Sequence, residues 1–402
     1  MVELSRRRFL LASAGAGAAG LLVGTAAVTW PDLLDAARRR PLADGSGILV
    51  LVTLYGGNDG VNTVVPFADS AYYSARPELA YDATEVLHLD DQLGLNPGLK
   101  GMYELWQAQK LAVVRGVGYP KPDRSHFRSM DIWQTASPSE PVGTGWIGRW
   151  LDATGDDPLR AVNIGAVLPP LMVGEKNTAA ALIVGDDTGH PYKDTVAALS
   201  ADDRDDTPAM STVRASYRAA QMADSALQPQ PTDAAGAVVA DDGYDNPLGD
   251  QLDMVARAVS ADVPTRVYTV SLGGFDTHAD ERDTQQQLLS TFDTAVGEFL
   301  QRMAQDRNGR NVVLMAYSEF GRRLSANASL GTDHGTAGPV FIAGAPVRGG
   351  FYGDEPSLTD LDDGDLKVTT DFRDVYSEVL MYGLGTDPEP ILGAGRRQLG
   401  FL

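Results

Sequence analysis

Short continuous apolar runs alternate with longer amphipathic segments from about residue 45 onward. Continuous apolar runs predict strands buried on both faces, because such strands lack alternating polar positions. The predicted strands are 48–54, 111–116, 161–164, 181–184, 267–272, 312–318 and 340–343. The amphipathic segments predict helices at 99–109, 126–135, 146–154, 249–260, 280–305 and 373–382. Repetition of strand and helix predicts an α/β fold whose mostly parallel sheet has helices on both faces.

Residues 200–247 interrupt this alternation, because they are rich in Asp, Ala, Gln and Pro and contain few large apolar side chains. We interpret them as a partly helical, solvated insertion within a single domain that spans 45–402. A linker between two independent domains is the alternative. The insertion is preferred because the strands after it lack enough neighbours to form a separate sheet.

The first 30 residues read as a targeting segment. Ser5-Arg6-Arg7-Arg8-Phe9-Leu10 precedes a Gly- and Ala-rich apolar stretch that ends near Val28. This pattern predicts a twin-arginine signal and export through the twin-arginine translocase, which would make the protein periplasmic, secreted or associated with the cell envelope. A basic leader before an ordinary core helix is the alternative. No cleavage site is clear, so an uncleaved anchor also stays open.

The amino-acid composition of the chain excludes several kinds of binding and catalytic site. The chain has 402 residues, 33 basic and 54 acidic side chains, a net charge of −21 and no cysteine. Such an acidic surface repels phosphate backbones, which argues against nucleic-acid binding. The absence of cysteine excludes disulfides, thiolate metal sites and thiol nucleophiles. A bound metal must therefore be held by Asp, Glu, His, Asn or hydroxyl groups.

Two candidate sites follow the ends of predicted strands, where open α/β sheets bind ligands. Asp59 lies in the Gly-Gly-Asn-Asp-Gly turn after strand 48–54, where a carboxylate could bind a cation. A carboxylate that caps its own turn is the simpler alternative. Asp276 and His278 follow strand 267–272, and two residues of extended chain let both side chains face one ion. This spacing also arises by chance.

Two further candidates lie near the end of the chain. Glu319 emerges from the strand at 312–318, and Arg322 or Arg323 after it could clamp an oxyanion. An ordinary salt-bridged strand end is the alternative. Asp333 and His334 stand between glycines in a loop-like stretch, where a turn-capping Asp beside a solvent-facing His is the alternative.

Ser125 is the candidate nucleophile, because it opens the predicted helix 126–135 and the positive end of the helix dipole favours an alkoxide or a bound anion. Ser125 or Asp123 could instead be the helix N-cap. His126 could serve as a base, a metal ligand or a phosphate donor. Three of the five histidines fall in candidate loops, which is not expected of scattered surface histidines; they are His126, His278 and His334.

These motifs resemble the exported bacterial family called domain of unknown function 1501. The resemblance rests on the twin-arginine leader and on segments 54–63, 124–127, 275–278, 318–322, 331–335, 349–350 and 370–376. It covers nearly the whole mature chain, and the family carries no settled activity. The family is in turn similar to the alkaline phosphatase and sulfatase superfamily, which implies an alkaline phosphatase-like fold and a two-metal site.

The superfamily resemblance implies a role for each candidate residue. Asp276, His278 and His334 would form one metal site, and Glu319 would join Asp59 and Ser125 at the other. Ser125 would be the nucleophile, and Arg124 or Arg322 would take the charge on the transferring group. The implied cofactors are two divalent ions, zinc, magnesium or calcium.

One departure from the superfamily pattern affects the second metal site. Glu319-Phe320 stands where superfamily members often have Asp-His, so an expected imidazole is missing. The second site would then be weaker, hold a harder ion or be lost, unless His126 substitutes. In another alignment with the superfamily, Asp333 and His334 are the Asp-His pair of this pattern.

Together these expectations favour an exported metal-dependent hydrolase of a small anionic phosphate or sulfate ester. A non-catalytic exported binding or envelope-associated protein that retains the fold is the alternative, and Phe320 favours it. A purely structural ion is a third reading.

Overall fold

The computed structural model describes residues 26–165, 168–182 and 247–402. Most of the predicted export signal and residues 200–246 of the predicted insertion lie outside these ranges, so both stay predictions. Among the described residues, no helix is long and apolar enough to cross a membrane.

Fifteen strands and ten α-helices are assigned within the described ranges. The strands are β1 Ala26–Val28, β2 Ile48–Leu54, β3 Val64–Val65, β4 Leu87–His88, β5 Gly94–Leu95, β6 Leu111–Gly118, β7 Ala161–Ile164, β8 Ala180–Leu182, β9 Val267–Leu272, β10 Val312–Tyr317, β11 Arg322–Ala326, β12 Thr332–His334, β13 Gly338–Ala343, β14 Gly350–Tyr352 and β15 Thr370–Asp371. The helices are α1 Trp30–Arg39, α2 Gly60–Thr63, α3 Ser70–Ala75, α4 Lys100–Gln107, α5 His126–Thr135, α6 Trp146–Thr154, α7 Pro247–Ser260, α8 Glu281–Gln305, α9 Phe372–Glu378 and α10 Glu389–Leu392.

A ten-stranded sheet forms the centre of the fold. Its order is β1-β8-β7-β9-β2-β10-β13-β6-β14, and β15 also pairs with β6. Among the described strands of this sheet, β13 alone runs antiparallel to its neighbours β10 and β6. The predicted α/β fold with a mostly parallel central sheet is therefore confirmed.

Strand β2 shows why the apolar runs are continuous. Its seven residues are all buried. Ile48, Val50 and Val52 join the core cluster on one face of the sheet, which also contains side chains of α1, α4, α7 and α8. Leu49 and Leu51 join the cluster on the other face, with side chains of α5, α6 and α9. Both faces are covered by helices, as the sequence predicts.

The first described strand lies at the end of the segment predicted to be a leader. Strand β1 pairs in parallel with β8 at one side of the sheet. Thr29 and Asp32 then form a reciprocal capping box that begins α1. The last residues of the segment read as a targeting signal therefore pair with the folded domain.

The sheet order also places the candidate loops. Strands β9, β2 and β10 are parallel neighbours, so the loops after their carboxyl ends meet at one edge. These loops carry Asp276, Asp59 and Glu319. A small antiparallel hairpin of β11 and β12 adds to the same edge and pairs Arg322 with His334.

Candidate functional site

Three imidazole nitrogens surround one carboxylate oxygen at this edge. Oδ1 of Asp276 lies 3.0 Å from Nε2 of His278, 3.1 Å from Nε2 of His334 and 3.5 Å from Nε2 of His126. The Nε2 atoms of His278 and His334 are 2.9 Å apart. Ligand atoms of His126, Asp276 and His334 lie within 4.8 Å of one another. The structure therefore brings Asp276, His278 and His334 together as the resemblance implies, and it adds His126. These four residues are called the histidine cluster below.

In two of the three histidine rings, the other nitrogen, Nδ1, contacts a hydrogen-bond acceptor. Nδ1 of His334 lies 2.8 Å from the carbonyl oxygen of Arg124, and Nδ1 of His126 lies 2.8 Å from Oε1 of Glu319. Because a carbonyl oxygen can only accept, Nδ1 of His334 carries the proton. In a neutral ring the Nε2 lone pair then faces the Asp276 carboxylate. Two acceptors at this distance require a proton or a cation between them.

The donor set fits a divalent cation. Nε2 of His126 is buried and has no hydrogen-bond partner among the described residues, although buried polar atoms normally have one. Imidazole nitrogens with a carboxylate suit zinc and similar divalent ions. Metal-binding histidines usually donate their other N–H to a carboxylate or a backbone carbonyl, as His126 and His334 are arranged to do here.

Asp276 is held ionised. Its partial burial alone would raise the pKa, but the hydrogen bond and positive charge of Arg322, together with the neighbouring histidines, lower the pKa to about 2. This carboxylate therefore supplies a negative charge to the centre across the physiological pH range.

Arg322 does not act as an anion clamp, contrary to the sequence prediction. Its side chain is fully buried and donates to the carbonyl oxygens of Gly56, Gly57, Phe275 and Thr332. It also donates to Oδ1 of Asp276 at 2.6 Å. Arg322 therefore fastens together the loops after β2 and β9 and strand β12, and it orients Asp276.

The Arg124 side chain also differs from the prediction. Its guanidinium bonds Asp365 and Asp363, with Nε 2.9 Å from Oδ2 of Asp365, instead of standing free for a transferring group. Its backbone carbonyl is what contacts the histidine cluster. These acidic partners lie about 240 residues later in the chain, so no local pattern reveals them.

Ser125 lies between Arg124, whose backbone carbonyl contacts His334, and His126, whose ring belongs to the cluster. It is exposed, and it occupies the N-cap position of α5, but among the described residues its side chain makes no capping hydrogen bond. Oδ1 of Asp123 accepts from the Ser125 backbone N–H at 2.8 Å. The Ser125 hydroxyl is therefore not used to cap the helix.

Asp59 is not part of the histidine cluster. Its Oδ1 accepts from the Val61 N–H at 3.1 Å and caps α2, as the simpler reading of the turn expected. Its Oδ2 forms an ion pair with Arg76, and both side chains are fully buried. Arg76 follows a short helix and belongs to no motif, so sequence reasoning missed it. The resemblance-based role of Asp59 as a metal ligand is therefore corrected to that of a buried ion-pair partner.

Glu319 also differs from its implied role as a ligand. Besides His126, its carboxylate accepts from the Gly56 N–H at 3.0 Å and from Oγ of Ser318 at 2.9 Å. Asp59 and Glu319, which the resemblance places with Ser125 at a second metal site, are thus engaged with Arg76 and with His126, respectively. Glu319 acts on the cluster through His126.

Asp333 stands beside His278. Its Oδ1 lies 3.5 Å from Nδ1 of His278 and 3.3 Å from Nδ2 of Asn327. It faces the nitrogen of His278 that points away from Asp276. Asp333 is therefore placed to orient His278, and its predicted role as a direct ligand does not match this geometry.

Phe320 forms an apolar floor under the cluster. Its buried ring lies 4.9 Å from the His126 ring and 4.8 Å from the His334 ring, centroid to centroid. Gly57 makes room for it, since a Cβ built there would lie 2.2 Å from the Phe320 ring. Phe320, which stands where the resemblance implies a histidine, thus packs against the rings of two other histidines.

The family described as "Protein of unknown function (DUF1501)" matches residues 117–397, well over half of the chain. This chain belongs to the DUF1501 family. The matched range contains every residue of the histidine cluster. No curated protein matches the chain significantly.

Several solved structures resemble this DUF1501 chain at low identity. A protein in the alkaline phosphatase superfamily from Vibrio parahaemolyticus is 12% identical, with 94% of this chain and 80% of that chain covered and a TM-score of 0.43. The PsFucS1 sulfatase from Pseudoalteromonas sp. is 11% identical, with 92% and 76% covered and a TM-score of 0.38. A TAB5 alkaline phosphatase mutant with bound Mg is 10% identical, with 77% and 95% covered and a TM-score of 0.35. These TM-scores are low, so nothing about the activity of this chain follows from them.

Proposed function

We propose that this protein is an exported metal-dependent hydrolase of small phosphate or sulfate esters. The observation that supports it most is the convergence of three imidazole Nε2 atoms on Oδ1 of Asp276. The ester class is supported by the resemblance of the motifs to the alkaline phosphatase and sulfatase superfamily. Export is supported by the paired arginines and the apolar stretch at the N-terminus.

The residues that would hold the ion are His126, His278, His334 and Asp276. A divalent cation at this position would supply Lewis-acid polarisation of an ester oxygen. The Arg124 carbonyl keeps the Nε2 lone pair of His334 directed inward, and Glu319 orients His126 in the same way. Arg322 keeps Asp276 ionised and in place.

Ser125 is the proposed nucleophile. It immediately precedes His126, its hydroxyl is not used for capping, and it stands at the N-terminus of a ten-residue helix. The helix dipole lowers the cost of negative charge developing on its oxygen. Since Arg124 and Arg322 are engaged in internal bonds, charge on the substrate would be balanced mainly by the ion and by the N-terminus of α5.

Metal content of the full-length chain tests the metal part of this proposal. Purified protein is expected to retain a divalent ion that His278→Ala releases and that His88→Ala retains. His88 is the matched control, because it lies outside the cluster and bonds the Ala83 carbonyl. Folded wild-type protein that takes up no divalent ion when supplied with zinc, magnesium, manganese or calcium would contradict the assignment.

Turnover tests the hydrolase part separately. Aryl phosphate and aryl sulfate esters are the probes, with and without a chelator. Ser125→Ala is expected to keep the metal and to lose turnover by orders of magnitude, because a covalent nucleophile cannot be replaced by a methyl group. Ser74→Ala, an exposed serine on α3, should match the wild type. Equal rates in Ser125→Ala and wild type would remove Ser125 from the mechanism.

A non-catalytic exported binding or envelope-associated protein is the second candidate. It is favoured by Phe320, which replaces an expected imidazole, and by the internal bonds that occupy Arg124 and Arg322. Bound metal without turnover of either ester class would support this reading. Metal-dependent folding with no ligand binding would instead indicate a structural ion.

A further inference from the structure

A second cluster of charged side chains lies beneath the turn that carries Asp59. Asp59, Arg76 and Glu281 are each 0% exposed. Arg76 pairs with Asp59, and Thr332 donates its hydroxyl proton to Oε2 of Glu281 at 2.5 Å. The Arg76 guanidinium thus pairs with Asp59, and its other hydrogen bonds go to the backbone carbonyls of Leu324 and Arg323, so the second buried carboxyl, that of Glu281, has no ion-pair partner among the described residues. A buried unbalanced charge is costly, so this composition calls for one more positive charge.

Two oxygen atoms in the same cluster lack a donor. Oε1 of Glu281 and Oε1 of Gln285 are buried without a hydrogen-bond partner among the described residues. The amide nitrogen of Gln285 is already assigned, since it donates to the Asp59 carbonyl at 2.7 Å. A proton on the Glu281 carboxyl would supply a donor and would also cancel the excess charge.

Glu281 is connected directly to the strand that carries His334. Its side chain accepts from Thr332, two residues before His334, and its backbone N–H donates to the Leu330 carbonyl at 2.9 Å. The Thr332 carbonyl in turn accepts from Arg322 at 2.9 Å. The carboxyl of Glu281 therefore fixes one end of β12, and β12 sets the position of an imidazole in the cluster.

We propose that Glu281 is a protonated carboxylic acid in the folded protein at neutral pH, and that in this form it positions strand β12 and His334. The charged groups that face it are Asp59 from the turn after β2 and Arg76 from the segment after α3. Burial, and then the charge and hydrogen bond of Asp59, raise the pKa of Glu281 to about 9, with Thr332 and Arg76 acting in the opposite direction. The inference stands whether or not the histidine cluster binds a metal.

The sign of the pH effect follows from the proton count. An unfolded Glu ionises near pH 4.3, whereas folded Glu281 keeps its proton up to a pH of about 9. The folded state binds the extra proton, so the contribution of Glu281 to stability is full below the unfolded pKa and falls as pH rises to the folded pKa. Glu281→Gln retains a donor and an acceptor of similar shape but cannot ionise.

Urea unfolding of the full-length chain between pH 5 and pH 8 tests the proposal. The ratio of the wild-type unfolding constant to that of Glu281→Gln is expected to rise with pH, by up to about tenfold per pH unit for one proton. Glu298→Gln on the same helix is the matched control, since Glu298 is exposed, and it should follow the wild type. A ratio that is independent of pH, or one that falls with pH, would overturn the protonated assignment.

Infrared spectroscopy reads the proton directly. Wild-type protein at pH 7 should show a protonated-carboxyl carbonyl band that is lost in Glu281→Gln and kept in Glu298→Gln. If Glu281→Gln does not fold, Asp59→Asn should remove the same band, because Glu281 then faces Arg76 without a competing carboxylate. Wild-type protein without this band would refute the proposal. So would loss of a bound ion in folded Glu281→Gln but not in Glu298→Gln, since a neutral amide of similar shape should position His334 as a protonated carboxyl does.

Discussion

Nδ1 of His126 lies 2.8 Å from Oε1 of Glu319, and the Glu319 side chain is only 2% exposed. The carboxylate is fixed by the Gly56 N–H and by Ser318, so it in turn fixes the ring. With Nδ1 engaged, Nε2 of His126 is directed toward Asp276. A carboxylate that orients a histidine is the usual second layer of a metal site.

Weakening this pair should weaken metal binding. Glu319→Gln removes the negative charge from the pocket. Whichever way the amide turns, its NH₂ group replaces either the oxygen that accepts from Gly56 and His126 or the oxygen that accepts from Ser318. We expect metal affinity to fall by about 10–100-fold, as for other partners that orient metal-binding histidines. Chelator competition measures this, with the exposed Glu140→Gln as control. Unchanged affinity in Glu319→Gln would show that the pair has no part in metal binding.

Metal affinity should depend on pH. An imidazole nitrogen binds metal only when it is deprotonated. Asp276, whose pKa is lowered to about 2, stays ionised until far more acidic pH, so its contribution is lost only as pH falls toward that value. We therefore expect affinity to fall as the solution is acidified, because protons compete with the ion for the ring nitrogens. Chelator competition between pH 5 and 8 measures the slope, and a flat profile would argue against histidine ligands.

A methyl group at Gly57 should be far more damaging than one at Gly45. Both glycines have positive φ, 73° and 75°, so replacement by Ala strains both backbones. A Cβ at Gly57 would lie 2.2 Å from the Phe320 ring, whereas one at Gly45 has no atom within 4 Å. We expect Gly57→Ala to lower the free energy of unfolding by about 1–3 kcal/mol more than Gly45→Ala.

The cause of the Gly57 effect can be checked with a double variant. If the Phe320 ring is responsible, Gly57→Ala should cost less in a Phe320→Ala background than in the wild type, as measured by urea unfolding. Additive costs would place the strain elsewhere.

Glu378 should contribute strongly to stability through the C-terminus. Its nearly fully buried carboxylate accepts from the backbone N–H groups of Leu399, Gly400 and Leu402 at 2.7 to 2.9 Å. Hydrogen bonds to a buried charge are worth about 1.5–3 kcal/mol each, so Glu378→Ala should cost at least about 3 kcal/mol in unfolding free energy. Glu389→Ala, at an exposed position, is the control. A cost below about 1 kcal/mol, the value of an exposed ion pair, would mean that the tail is held mainly by Phe401.

The sequence locates the strands well because burial on both faces imposes a local composition. Residues 48–54 are predicted and observed as one strand. The antiparallel direction of β13 is not predictable in this way, because its buried side chains are as apolar as those of the parallel strands of the sheet. Direction depends on how the connecting segment crosses the sheet.

Among the candidate site residues, too, some roles could be predicted from the sequence and others could not. The superfamily resemblance groups Asp276, His278 and His334, and the structure brings these three side chains together. Arg322 and Asp59 are assigned wrongly because a charged residue after a strand looks the same whatever its partner. Their partners are distant, since Arg322 donates to a carbonyl 265 residues away and Asp59 pairs with Arg76, 17 residues later.

By itself, the sequence determines the order of strands and helices, the residue types available for chemistry and the loops that carry them. These features depend on local composition and spacing. Tertiary structure alone decides that His126 joins the cluster, that Glu319 serves a histidine, and that Asp59, Arg76 and Glu281 share a buried site. Each of these outcomes depends on which side chains meet when distant loops pack together, and burial then fixes the partner of every charge.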